Sequence, residues 1–192
     1  MDNFLCWNAR GVTNKDMSDY LRLIVYNNKV ELCVILEPKS GHEGLNQLAR
    51  RLGFTSHLHG GNINKHVWIM WKDSFIAEDI GMSGQHITVK IKHVSSEGEL
   101  VCSFVYASMD RTTRTNLCSD LGDLTPHISV PWLAMGDFNV ISDIKEKHGG
   151  NKPDSKAMFQ FSEFLTRVGF SDMGFHGSPY TWSNNQHGHS RI

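Results

Sequence analysis

The stretch Trp132-Leu-Ala-Met-Gly-Asp-Phe-Asn139 is the element around which the chain can be organised. Trp132 to Met135 is a short apolar run with the length and character of a strand buried on both faces, and Pro131 gives it a clean start. Gly136 lets the backbone leave a sheet tightly, and Asp137 and Asn139 follow. In extended backbone, residues two apart point the same way, so a carboxylate and an amide emerge side by side. A strand fixes such groups from behind, which suits holding a metal-bound water against a phosphate. A plain Gly-Asp turn closing a strand reads the same. The choice between the two rests on the remaining strands.

Residues 4–7 form a first apolar strand ending in Asn8. Thr13 or Asn14 can cap a helix over 16–28, with Met17, Tyr20, Leu21 and Ile24 along one face. Residues 30–36 form a second strand that runs straight into Glu37. In layered α/β folds ligands collect at strand ends, so Asn8 and Glu37 are expected to meet Asp137 and Asn139. A helix over 43–52 turns Leu45, Leu48, Ala49 and Leu52 inward and stops at Gly53. Strands at 54–58, 67–71, 75–81, 86–93 and 100–107 then read as an antiparallel meander, so the fold is not a purely parallel sheet. Alternation over 86–93 predicts one wet face, and Tyr106 closes the last of these strands.

Asp110 can cap a helix through residue 124, with Leu117, Leu121 and Leu124 inward. After the Asp-Phe-Asn strand comes a polar loop, 145–153, and then a helix capped by Asp154 or Ser155. Its apolar face is Met158, Phe161, Phe164, Leu165 and Val168, and Gly169 ends it. Residues 170–175 and 179–183 read as short extended pieces. A chain of 192 residues fits one domain, 1–192. A net charge of −1 excludes a generally basic nucleic-acid coat, so any contact with phosphates is local. Cys6, Cys33, Cys102 and Cys118 are scattered, with no CxxC, and read as buried thiols of a reducing compartment. The first residues carry an early acid and no long apolar stretch, so neither a signal peptide nor a membrane span is expected.

Asn8, Glu37, Asp137 and Asn139 thus come from three apolar strands. Carboxylate and amide oxygens without clustered Cys or His suit a hard ion, Mg²⁺ or Mn²⁺, better than zinc. Tyr106 adds a phenol that can either meet a phosphate oxygen or close a core strand.

Five ordered motifs carry a resemblance: Trp7-Asn8-Ala9-Arg10-Gly11, Leu36-Glu37-Pro38-Lys39, Val105-Tyr106-Ala107-Ser108, Gly136-Asp137-Phe138-Asn139 and Tyr180-Thr181-Trp182-Ser183. Together they resemble the endonuclease/exonuclease/phosphatase superfamily, and more narrowly the apurinic-endonuclease-like domain of plant non-LTR (LINE) retrotransposons. The resemblance implies two packed mixed β-sheets flanked by helices, the four-layer, DNase I-like α/β sandwich. It implies that Glu37 binds a divalent ion, Mg²⁺ or Mn²⁺, with Asn8 supporting the metal and its water. Asp137 would orient or deprotonate the attacking water, Asn139 would place it, and Tyr106 and Thr181 would contact the phosphate. The implied partner is DNA, hydrolysed to leave a 3′-hydroxyl that primes the reverse transcriptase domain of the same element, in the nucleus; the oligomeric state is left open, with a monomer favoured. Lys39, Arg111 and Arg191 are candidate substrate contacts.

Two features depart from the family pattern. Pro38 stands where these plant domains usually carry Thr, which removes a backbone donor. None of the eleven His stands in the Ser-Asp-His context that supplies the family's catalytic His and its Asp partner; His187 and His189 read as loop residues. The expectation is therefore a chain lacking the final strands and weak or inactive as an endonuclease. The competing readings are an RNA deadenylase or a phosphoinositide or sphingomyelin phosphodiesterase, and a non-catalytic nucleic-acid-binding module using Lys39, Arg111, Arg114, Lys145, Lys147 and Arg191.

Overall fold

The structure, a computed structural model, describes residues 3–184. Arg191, His187 and His189 lie outside the described residues. The chain divides into two compact units, residues 1–108 with 126–138, and residues 109–125 with 139–192.

The first unit holds every strand among the described residues. In chain order these are β1 (Asn3–Asn8), α1 (Lys15–Asn27), β2 (Val30–Leu36), α2 (His42–Leu52), β3 (Ser56–Gly60), β4 (Asn64–Trp71), β5 (Phe75–Ser83), β6 (His86–His93), β7 (Glu99–Tyr106) and, after an excursion into the second unit, β8 (Trp132–Asp137). One sheet runs β1-β2-β4-β3 and the other β5-β6-β7-β8. Each sheet is mixed, with one parallel pair, β1 with β2 and β7 with β8, and two antiparallel pairs.

β2 explains the layering. Cys33 and Ile35 face α1 and α2, where they pack with Leu21, Val25, Leu45, Leu48, Trp68 and Met70. Leu32, Val34 and Leu36 face the second sheet, where they meet Ile87, Val89, Ile91 and Phe104. Each such side chain removed from water contributes roughly 1.5–3 kcal/mol, so a strand apolar at nearly every position is stable only between two layers. Asn14 caps α1 by accepting from the Asp16 amide (2.9 Å), and Gly53 ends α2 in the left-handed region at φ +78°.

Several sequence expectations are corrected. The run of strands from 54 to 107 is not one meander: β3 and β4 join the first sheet, whereas β5 to β7 build the second. The cause is β4, whose buried Val67–Met70 run pairs with β2 and so commits it to the first sheet. β8 is only half-buried, because among the described residues it pairs with β7 alone. The polar face of β6 is wet only at Lys90 and Lys92; His86 and Thr88 are buried. They are accommodated by a hydrogen-bond chain from His86 Nδ1 to Thr88 Oγ1 (3.0 Å), Thr88 to Ser103 Oγ (2.8 Å) and Trp132 Nε1, which donates to Ser103 Oγ (2.9 Å). In α1 Leu21 and Val25 are buried and Met17 packs against the same core, as its place on the expected face implies, while Tyr20 is 57% exposed and meets Trp7 edge-on.

The second unit contains α3 (Arg111–Leu124), capped by Asp110, and α4 (Ser155–Val168), capped by Asp154 and ended by Gly169 at φ +79°. Arg111 is paired with the Asp154 carboxylate (3.0 Å), and Arg167 donates to the Cys118 carbonyl (3.2 Å), which ties the two helices together. A 3₁₀ turn, Ile144–Glu146, with an Asp143/Glu146 capping box, leads into the polar loop. Residues 170–175 and 179–183 carry no strand, and Phe175, Tyr180 and Trp182 are exposed. No described helix is long and apolar enough to cross a membrane.

Gly136 is where the β8 backbone presses against β7. Its φ is +142°, and a Cβ there would lie 2.0 Å from the Val105 carbonyl oxygen. Gly136→Ala is expected to cost at least ~2 kcal/mol in urea denaturation. Gly53→Ala, at positive φ but with nothing within 4 Å, should cost only about 1 kcal/mol. Equal losses would show that the close approach to Val105 is unimportant.

Candidate active site

The sheet register carries four polar side chains to a common level. Asn8 is the Cα partner of Leu36, the residue before Glu37, and Tyr106 is the Cα partner of Asp137. Past the strand ends the ladder continues, with Ala9 N–H donating to the Leu36 carbonyl (3.0 Å), Glu37 N–H to the His66 carbonyl (2.9 Å) and Ala107 N–H to the Asp137 carbonyl (2.8 Å). Asn8 Nδ2 then bridges the two sheets by donating to Asp137 Oδ2 (3.0 Å). The Tyr106 hydroxyl faces the Glu37 carboxylate closely enough to feel it, and Lys39 Nζ lies 3.7 Å from the same carboxylate.

Electrostatics set the protonation states. Tyr106 is pushed up from 10.0 to about 12, first by burial and then by its hydrogen bond to Glu37 and the charges of Glu37 and Asp137, with Arg10 acting the other way. The phenol is thus a standing proton donor. Burial and the Asp137 charge push the Cys6 thiol up to about 12, so it is protonated and not a nucleophile. Cys33 and Cys102 are likewise raised by burial, and all four cysteines are free thiols.

Two buried side-chain oxygens among the described residues lack a hydrogen-bond partner: Gln160 Oε1, on α4, and one in the strand-end cluster. Asn8 Oδ1 is buried with no hydrogen-bond partner. Exchanging the amide oxygen and nitrogen would set oxygen against the Asp137 carboxylate, so the donor bond fixes the orientation. A buried, unsatisfied oxygen is costly, and a cation beside it would relieve that cost. No group of three or more His, Cys, Asp or Glu gathers in metal-binding geometry among the described residues. The set instead offers the carboxylates of Glu37 and Asp137 and the Asn8 amide oxygen. These few hard donors fit an ion such as Mg²⁺, which takes one or two carboxylates and completes its shell with water and phosphate.

Of the sequence candidates, Asn8, Glu37, Tyr106, Asp137 and Lys39 are brought together in the first unit. Asn139 and Thr181 belong to the second unit. There the Asn139 carbonyl accepts from Arg114 Nη1 (3.1 Å), and Thr181 is exposed. Arg111 is engaged with Asp154. Sequence reasoning missed Lys65 and His66, which line a cavity with Glu37 and Tyr106; the His66 and Tyr106 ring centroids are 5.0 Å apart. The signal was their place just before the apolar run at Val67: β4 is antiparallel to β2, so the start of β4 lies at the end of β2.

The Tyr106 shift gives a pH dependence. The folded chain holds this proton more tightly than the unfolded one, so the contribution is complete below pH 10 and is lost as pH rises towards about 12. In metal-free buffer, the stability of the wild-type chain should fall more steeply over that interval than that of Tyr106→Phe. Parallel curves would mean that the phenol is not so held.

Comparison with solved structures gives the same two-sheet arrangement. The endonuclease domain of TRAS1, a telomere-specific non-LTR retrotransposon, superposes with a TM-score of 0.69 at 14% identity, covering 100% of this chain and 81% of that one. A TDP2 from D. rerio, humanized by 14 mutations, gives 0.59 at 15% identity, covering 88% and 68%. A conserved protein of unknown function from Enterococcus faecalis gives 0.52 at 17% identity, covering 72% of this chain and 66% of its own, so the chain spans just under two thirds of that protein. Comparison with curated protein sequences returns no match. The sequence itself matches the Endonuclease/Exonuclease/phosphatase family over residues 5–192, and the chain belongs to that family.

Proposed function

We propose that this chain is a divalent-cation-dependent phosphodiesterase of the DNA endonuclease type, of the kind that nicks a retrotransposon target site. The observation that carries the proposal is the orphaned Asn8 Oδ1 set beside Asp137, with the Tyr106–Glu37 pair at the neighbouring strand ends. Glu37 and Asn8 Oδ1 would hold Mg²⁺ or Mn²⁺. Such an ion, when bound, supplies Lewis acidity and offsets charge on the leaving oxygen. The Asp137 carboxylate, fixed through one oxygen by Asn8, orients the attacking water and accepts its proton. Tyr106 keeps its proton at any physiological pH; with Glu37 engaged by the ion, its one O–H would turn to a phosphate oxygen. Asn139 and Thr181 take their roles, water and phosphate placement, from the sequence motifs alone.

DNA as substrate is supported by the five ordered motifs and by the likeness to the TRAS1 endonuclease domain along the whole chain. On this reading the work is done in the nucleus, beside a reverse transcriptase domain. The non-catalytic alternative relies on a basic surface. Arg111 and Arg114 contribute little to one, since the first is paired with Asp154 and the second donates to the Met109 and Asn139 carbonyls.

The expectation for the 192-residue polypeptide itself follows from the sequence motifs: none of its His stands in the Ser-Asp-His context in which the resemblance places the donor to the non-bridging phosphate oxygen. Loss of one such donor typically slows catalysis about 10²–10³-fold. The expected result is Mn²⁺ binding that Glu37→Ala abolishes, with nicking of supercoiled plasmid near background and removed by Asp137→Ala. Cation binding indifferent to Glu37 would overturn the metal assignment. Brisk nicking would overturn the expected slowness while upholding the activity.

A further inference from the structure

Beside Glu37 and Tyr106 the site opens into a cavity of about 440 Å³ whose lining includes Lys39, Ser40, Lys65 and His66. Its size falls within the roughly 300–1,000 Å³ of small-ligand sites, and the catalytic roles above leave Lys65 and His66 unused. We propose that Lys65 and His66 form a subsite for the nucleotide flanking the scissile phosphodiester, Lys65 pairing with its phosphate and the His66 ring stacking on its base. This rests on the phosphodiesterase reading and deepens it.

Three observations support the subsite. The first is charge. Lys65 makes no ion pair among the described residues, and Lys39, 3.7 Å from Glu37, offsets the carboxylate in the lining. A chain with a net charge of −1 therefore presents a locally cationic pocket, the electrostatic requirement for a phosphate. The second is a stacking surface. The exposed His66 ring is tilted 33° to Tyr106 at 5.0 Å, so it is backed by an aromatic side chain. Stacking on such rings is how proteins hold unpaired bases without reading sequence.

The third is rigidity. Buried Asn64 uses its Oδ1 to accept from the His66 and Val67 amides (3.0 and 3.1 Å) and its Nδ2 to donate to the Ser83 carbonyl (2.8 Å). The His66 carbonyl is held in turn by the Glu37 amide (2.9 Å). The Lys65-His66 backbone is thus fixed on the strand that borders the metal-binding Glu, as a positioning element should be.

The test is equilibrium binding of deoxythymidine 5′-monophosphate and of inorganic phosphate to the 192-residue chain in EDTA, with Mn²⁺ binding read separately on the same proteins. Lys65→Ala should weaken both anions about tenfold and flatten the log–log salt dependence by about one. His66→Ala should weaken the nucleotide about fivefold or more and leave inorganic phosphate unchanged, and His66→Phe, which keeps a ring, should restore the nucleotide. Both side chains are exposed, so thermal melts should match the wild type, and Mn²⁺ binding should persist in each variant. No nucleotide binding by the wild-type chain, or affinities unmoved by both Lys65→Ala and His66→Ala, overturns the subsite. Nucleotide binding through Lys65 without any Glu37-dependent Mn²⁺ binding keeps the subsite and defeats the phosphodiesterase reading; the reverse pattern does the opposite.

Discussion

Burial of β2 on both faces is the constraint on which the first unit depends. With helices on one side and a second sheet on the other, each residue of Val30–Leu36 has one acceptable orientation. A slip of one residue would exchange the two apolar sets and carry Glu37 out of register with its neighbours. The parallel pairing with β1 and the antiparallel pairing with β4 are locked by the same packing. Those pairings place Asn8 and His66 beside the end of β2.

At that end the backbone is held in conformations that side chains ordinarily avoid. Arg10, Glu37 and Lys39 all have φ near +50°, and each follows a strand that carries a site motif. Left-handed backbone costs roughly 1–2 kcal/mol per non-glycine residue, so something must hold these residues there. For Glu37 it is the amide bond to the His66 carbonyl; for the segment around it, the Val12 amide reaches the Pro38 carbonyl (3.0 Å). Pro38, which has no amide to offer, sits in this tethered turn through its carbonyl alone. Strain retained at the mouths of strands is common where side chains are pre-positioned for a ligand.

The buried polar side chains of the first unit's sheets are otherwise bonded, which gives the Asn8 orphan its meaning; the other orphan, Gln160 Oε1, lies on α4. His86, Thr88 and Ser103 are buried on β6 and β7 yet linked to one another and to Trp132. Asn64 is buried with both ends of its amide bonded. Against that background a buried amide oxygen without a partner marks a place where the chain is arranged around something other than itself. The neighbouring donors are oxygens, and Cys6, the nearby thiol, stays protonated. That set of donors is what the proposed hard cation would need.

Much of this was legible in the sequence because it is local. β2 was bounded correctly by its apolar run, α2 by its inward leucines and Gly53, and α3 and α4 by their Asp caps, since period and capping depend on neighbours a few residues away. The membership of Asn8, Glu37, Tyr106 and Asp137 in one site could be inferred from polar residues ending apolar strands. Which strand joins which sheet was not legible: β4 and β5 are separated by only three residues yet lie in different sheets. The buried polar face of β6 was also hidden, because alternation reports polarity and cannot report what covers it. Lys65 and His66 acquired a role only through antiparallel pairing of β4 with β2, a contact between residues some thirty positions apart. The sequence by itself determined the elements and the chemistry at their tips, since both follow from short-range spacing. Only the tertiary structure decided the partners of those tips, because sheet order and two-sided burial are fixed by packing that no short window contains.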